Sequence, residues 1–229
     1  MHDIIHAFEH AARLLIGGER EVWGIIGRSL LVSGLSTILG CAIGIPIGVA
    51  IGLRRFRGKR GAVAALNVGM SLPPVVVGLV VYLLLSYSGP LGFMRLLFSV
   101  PAMVIAQTIL AAPLIGALTL SAVESVDRRA RVVALSLGAS QLRATLTLLG
   151  EARFAMGAAI IAGFGAVISE VGAVMIVGGN IAGHTRVMTT AIMLETGRGN
   201  FDLAIALGII LLLIAFIVNF GLGFLQRWR

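Results

Sequence analysis

The sequence predicts an all-α polytopic membrane protein with about five transmembrane helices and one helical segment outside the membrane. Three observations predict it. Of the 229 residues, 58% are hydrophobic and 12% charged, with a mean hydropathy of +1.02. A soluble domain carries roughly 25% charged residues, so this chain has too little polar surface to face water on all sides. Five apolar runs are long enough to cross a hydrocarbon core, which takes about 20 residues each. The 18 basic residues, all Arg except Lys59, gather between those runs rather than interleaving with aromatics on one face. At a net charge of +8 this pattern suits charges that orient a membrane protein. It points to lipid as the surroundings and to no nucleic acid as partner.

The first span runs from about Trp23 to Leu53. It is long enough to tilt or to start in the headgroup region. Gly40, Gly44, Gly48 and Gly52 recur every four residues and make a flat stripe that lets another helix approach closely. Pro46 lies within it, where it is expected to kink the helix. The second span runs from about Ala62 to Tyr87 and contains Pro73-Pro74. Two prolines remove hydrogen-bond donors and break the helix, which is tolerable where protein or a cavity accepts the freed backbone. The third span runs from about Val100 to Val123. The fourth runs from about Phe154 to Ile181, with a milder stripe of Ala158, Ala162 and Ala166. The fifth runs from about Leu203 to Leu225.

The loops give the orientation. Arg54, Arg55, Arg57, Lys59 and Arg60 follow the first span. Arg128, Arg129, Arg131, Arg143 and Arg153 lie between the third and fourth, and Arg227 and Arg229 in the tail. Arg13, Arg20, Arg28, Arg95, Arg186 and Arg198 fall on the other side. The richer side is expected to be cytoplasmic, which puts the N-terminus outside and the C-terminus in the cytoplasm, as five spans require. The chain reads as one membrane domain over residues 1–229. Residues 1–21 are expected to form an extracytoplasmic interfacial helix, with Ile4, Ile5, Phe8, Ala11, Ala12 and Leu15 on one face and His6, Glu9, His10 and Arg13 on the other. His2, His6 and His10 share a helical spacing, but exposed histidines on a polar face need no metal. The expectation is no bound metal in this chain.

Catalytic machinery is not legible. A P-loop needs Gly-Lys followed by Ser or Thr, whereas Lys59 follows Gly58 and precedes Arg60. There is no Gly-x-Ser-x-Gly elbow and no zinc-binding His pair. Cys41, the single cysteine, reads as a small buried hydrophobe. The chain is expected not to be an enzyme and to hold no cofactor of its own.

The most informative stretch is the polar segment 124–153, on the basic side. It reads Val132-Val133-Ala134-Leu135-Ser136-Leu137-Gly138-Ala139-Ser140-Gln141-Leu142-Arg143. Helix formers precede Gly138 and a second helical stretch follows it, and glycine permits the sharp turn between them. The segment resembles the EAA motif of ABC importer permeases. Ala134 matches its second Ala, Gly138 its Gly and Leu148 its apolar position. Val132-Val133 stand in place of Glu-Ala, and Gly150-Glu151 in place of Leu-Pro.

Two further stretches narrow the resemblance. Ser71-Leu72-Pro73-Pro74-Val75-Val76-Val77-Gly78 is similar to a signature of molybdate and sulfate permeases. The block from Ile168 through Asn180, Thr185-Arg186, Thr189-Thr190 and Glu195 to Asp202 looks much like the tungstate branch of that family. The resemblance implies a type I ABC importer permease fold. It also implies a homodimer, two ATPase subunits that bind ATP and Mg, and an extracytoplasmic solute-binding protein, in a bacterial inner membrane. Its expected activity is import of tungstate or a related tetrahedral oxyanion by alternating access. Molybdate, sulfate or another small solute is the alternative cargo, and an ATPase-independent secondary transporter or channel the alternative class.

By the same resemblance the dock for the ATPase comprises Ala134, Ser136, Leu137, Gly138, Ala139, Ser140, Leu142 and Arg143. An oxyanion wants N–H and hydroxyl donors. Ser71, Pro73 and Pro74 at the broken second span, and Gly178, Gly179, Asn180, Thr185 and Arg186 at the outer end of the fourth, are candidates for the path. Glu170 is a carboxylate inside a span, where burial demands a partner or a function. A carboxylate repels an oxyanion, so a structural or gating role is expected, through a hydrogen bond to backbone or a pair with Arg28 or Arg186.

Overall fold

The computed structural model describes residues 20–54 and 56–227, and the regular structure among them is helical. The helices are α1 (Arg20–Leu53), α2 (Lys59–Met70), α3 (Pro74–Leu85), α4 (Val100–Ser125) and α5 (Arg128–Ser136). They continue with α6 (Gln141–Ile168), α7 (Gly172–Gly178), α8 (Met188–Gly197) and α9 (Phe201–Arg227); a 3₁₀ turn, Gly92–Met94, precedes α4. Helices α1, α4, α6 and α9 are long and apolar enough to cross a membrane, and the pair α2 and α3, bent by 93° between them, is together long and apolar enough for a fifth span. The interfacial helix expected over residues 1–21, with His2, His6 and His10, lies outside the described residues except for Arg20 and Glu21, which open α1.

Helix α4 is the centre of the molecule. Its small residues allow α1 to lie against it at backbone distance. A Cβ placed on Gly44 would meet the Ala112 carbonyl oxygen at 2.4 Å, and one on Gly48 would meet that of Gly116 at 2.4 Å. Gly40 and Gly52 face Ala111 and Val123 in the same way. The four-residue glycine repeat is therefore a seam inside one chain, filled by α4. Helix α1 runs unbroken through Pro46.

Other contacts hang on this pair. Val32 of α1, Val77 and Val81 of α3, Met103 of α4 and Val174 and Val177 of α7 form one apolar cluster. Val22, Ile25 and Ile26 of α1 meet Ile168, Met188, Leu207 and Ile210 in a second, which ties α8 and α9 to the start of α1. The outward faces of α1 and α9 present Leu31, Leu35, Ile38, Leu39, Leu212, Phe216 and Ile217. A water-soluble monomer rarely exposes so large an apolar surface, and lipid accommodates it.

Two features differ from the expected spans. The fourth span does not run from Phe154 to Ile181. Its helix starts at Gln141, stops at Ile168, and resumes as the short α7. Ser140 caps the start by accepting a hydrogen bond from the Arg143 amide, and the chain stays helical from there into the apolar run, which hydropathy alone detects. Helix α8 lies between the fourth and fifth expected spans; at 10 residues it is too short to span. Thr190 begins it, accepting from the Val187 N–H and donating to the Val187 carbonyl.

Candidate functional site: a basic-end hairpin and two broken spans

At the basic end of the bundle, α5 and the start of α6 form a hairpin. Asp127 caps α5 through the Arg129 amide, 2.8 Å. The helix ends where the amides of Leu137 and Gly138 turn back to the carbonyls of Val133 and Leu135, both at 3.0 Å. Gly138 has φ +81°, a conformation L residues adopt at a cost, so glycine at the turn has a stated geometric reason. Ser136 donates to the Val132 carbonyl. Ala134 belongs to α5, and Ala139 and Ser140 lead into α6. The apolar side chains around the turn are not packed: Leu137 is 82% exposed and Leu142 69%, with Val132 and Val133 also exposed. Arg143 is exposed beside them. Next to the hairpin, the Lys59 ammonium pairs with Glu124 at 2.8 Å and ties the start of α2 to the end of α4.

Deeper in the bundle two spans break, and the breaks touch. In the first, Ser71 closes α2 and Pro73 starts α3. In the second, Ser169 closes α6 and Val171 precedes α7. A Cβ on Gly172 would fall 2.7 Å from Val75 Cγ2, and one on Gly78 would fall 2.7 Å from Ala173 Cα. Non-helical backbone at this depth needs partners for its freed polar groups, and side chains supply them. The Glu170 carboxylate, in a residue 8% exposed, accepts from the amides of Ala173 at 2.7 Å and Val174 at 3.2 Å, and so caps α7. The Gln107 amide donates at 2.8 Å to the Val167 carbonyl, which also accepts from the Glu170 amide at 3.3 Å. The Thr189 hydroxyl donates to the Glu170 carbonyl at 2.9 Å. Of the partners expected for Glu170, the backbone is the one it takes. Arg28 instead donates to the carbonyls of Arg186 and Gly183, and Arg186 pairs with Glu21 at 3.2 Å.

The remaining candidates form a turn after α7. Gly179 and Asn180 both have positive φ, 70° and 49°. The Thr185 hydroxyl donates to the Gly178 carbonyl at 2.6 Å and accepts from the Ile181 amide at 2.9 Å. Thr185 is 1% exposed and Gly178 is buried against Met103. The Thr185 hydroxyl is spent within the chain, the Asn180 Oδ1 is buried with no hydrogen-bond partner among the described residues, and Ser71, Pro73 and Pro74 are exposed at the first break. Gln107 and Thr189, which brace the second break, escaped the sequence reading; a lone Gln in the apolar third span was the available signal.

Residues 44–229 match the family described as binding-protein-dependent transport system inner membrane component. The chain is 42% identical over 227 residues to a tungstate uptake system permease protein of Peptoclostridium acidaminophilum, covering 99% of this chain and all of the relative. It is 46% identical over 200 residues to a probable anion ABC transporter permease protein of Haloferax volcanii, covering 85% and 86%. Among solved structures, a bacterial ABC transporter involved in the import of the acidic polysaccharide alginate superposes with a TM-score of 0.75 at 19% identity, over 96% of this chain and 83% of that one. At that identity the likeness is one of fold.

Proposed function

This chain belongs to the family of binding-protein-dependent transport system inner membrane components, and from that premise we propose that it is the membrane-spanning permease of an ATP-driven importer of tungstate or a related tetrahedral oxyanion. One observation carries the energised mechanism. The hairpin at the basic end holds Val132, Val133, Leu137 and Leu142 exposed around a turn that only glycine adopts readily. Such a group of unpacked apolar side chains among arginines calls for a protein partner. A cytoplasmic ATPase that binds ATP and Mg fits it. The orientation follows from the basic side facing the cytoplasm, with the N-terminus outside.

The exposed Ala158, Ala162 and Ala166 of α6 supply a flat face for a second copy. The working unit is then a homodimer with two ATPase subunits, fed by an extracytoplasmic solute-binding protein, and the oxyanion crosses between the copies by alternating access. The cargo rests on the whole-length likeness to the tungstate permease. The test is metal content by mass spectrometry in cells lacking this gene, grown in equal low tungstate and molybdate, with and without a plasmid copy. A plasmid-reversed loss of tungsten alone is the expected result. Loss of molybdenum alone would reassign the cargo, and wild-type levels of both metals would remove it.

A further inference from the structure

Three polar side chains lie exposed at membrane depth beside the two breaks. Helix α4 serves as a ruler for depth: its 26 residues rise about 39 Å. Gly69, next to the first break, lies against Pro113, at the middle of α4. Val167, next to the second break, is bonded to Gln107, about 10 Å along α4 from its start. With a hydrocarbon core of about 30 Å centred on α4, both breaks fall inside it. Yet Asn67, Ser71 and Ser169 are all exposed.

The serines alone decide nothing. Ser71 donates to the Asn67 carbonyl at 3.1 Å and Ser169 to that of Gly165 at 2.6 Å, a local bond that lets serine face lipid. Asn67 differs. Its carboxamide makes no hydrogen bond to any described residue, and an unpaired amide in hydrocarbon costs several kcal/mol. It therefore needs water or a polar partner in front of it. No Lys or Arg occurs from Gly61 to Met94 or from Phe154 to Thr185, so the surroundings carry no fixed positive charge. The nearby carboxylate, Glu170, is turned onto the amides of α7.

We propose that Asn67, Ser71 and Ser169 form a neutral collar of amide and hydroxyl donors in a water-filled passage, and that a tetrahedral oxyanion exchanges part of its hydration for them in transit. This rests on the transport reading above. A neutral collar suits a dianion because passage requires a site attractive enough to enter and weak enough to leave. Each serine hydroxyl rotates from its helix carbonyl to the anion, and the amide of Asn67 offers two donors.

The test uses the full transporter with its ATPase and binding protein, reconstituted in vesicles in a Cys41→Ala background. Single cysteines replace Asn67, Ser71, Ser169 and, as a lipid-facing control, Ile38. A membrane-impermeant anionic thiosulfonate is expected to label the first three at least about tenfold faster than the control, because only a wetted thiol ionises. In a second arm, Asn67→Asp is expected to lower tungstate uptake at least about tenfold by placing a like charge in the passage, and Asn67→Gln, which keeps the amide donors on a longer side chain, to lower it less than Asn67→Asp does. Three thiols no faster than Ile38→Cys, in complexes that assemble normally, would overturn the collar in favour of burial between copies. Rapid labelling with unchanged uptake by Asn67→Asp would overturn its role toward the anion. Failure of the unmodified transporter to carry tungstate strikes the cargo reading instead, since labelling reports water whatever the cargo.

Discussion

Replacing Glu170 by Ala strips the start of α7 of the acceptor for two buried amides, those of Ala173 and Val174 at 2.7 and 3.2 Å. Leaving a buried donor unsatisfied costs about 1–3 kcal/mol, so the pair costs about 2–6 kcal/mol. At roughly 2–4 °C per kcal/mol for a chain of this size, the melting temperature should fall by at least ~4 °C. Glu170→Gln keeps one neutral acceptor oxygen and should melt between the two. Thermal unfolding of the purified permease in detergent, followed by loss of the monodisperse peak, measures all three. A Glu170→Ala protein that melts with the wild type would refute the capping argument. Faster uptake by an intact Glu170→Gln transporter would sink it in another way, by making the carboxylate an electrostatic barrier to the anion.

The glycine seam predicts a contrast between two equal substitutions. Gly44→Ala drives a methyl to 2.4 Å from the Ala112 oxygen and should lower stability by about 1–3 kcal/mol. Gly34→Ala meets nothing within 4 Å and should be neutral or stabilising by up to ~1 kcal/mol; equal melting of the two would contradict the seam. Gly138→Arg meets nothing within 4 Å of its Cβ but pays about 1–2 kcal/mol for its positive φ. It should reach the membrane in normal amount and abolish ATP-driven uptake, and unchanged uptake would remove the dock from this turn. Thr185→Val breaks both bonds that close the turn after α7 and should lower stability by about 1–3 kcal/mol. A melting temperature equal to wild type would show that the turn closes without them.

Much of this architecture was legible because it follows from one-dimensional signals. Apolar runs mark spans, the Gly40–Gly52 repeat marks a close helix contact, Pro73-Pro74 marks a break, and Gly138 between two helical stretches marks the hairpin. The second break was not legible. Nothing in Ile168-Ser169-Glu170-Val171 forbids a helix, and the interruption exists because Gln107, Thr189 and the Glu170 carboxylate together satisfy the backbone it frees. Those three residues are separated in sequence and meet only in the fold. The same holds for Thr185. As a sequence it is a hydroxyl near the outer end of a span, and only its burial against Gly178 assigns it to a turn. Helix α8 was missed because its 10 residues carry no span-length signal, and its place under α1 and α9 is tertiary.

The continuity of α6 has a mechanical consequence. Its 28 residues run without interruption from Ser140, at the turn of the basic-end hairpin, to the break at Ser169, a rod of about 42 Å. A rod that pivots by about 10° at one end displaces the other by about 7 Å at that length, comparable to the width of a small hydrated anion's path. A swing imposed outside the membrane therefore arrives undiminished at the point where two half-helices meet. A flexible joint anywhere between Gln141 and Ile168 would dissipate it.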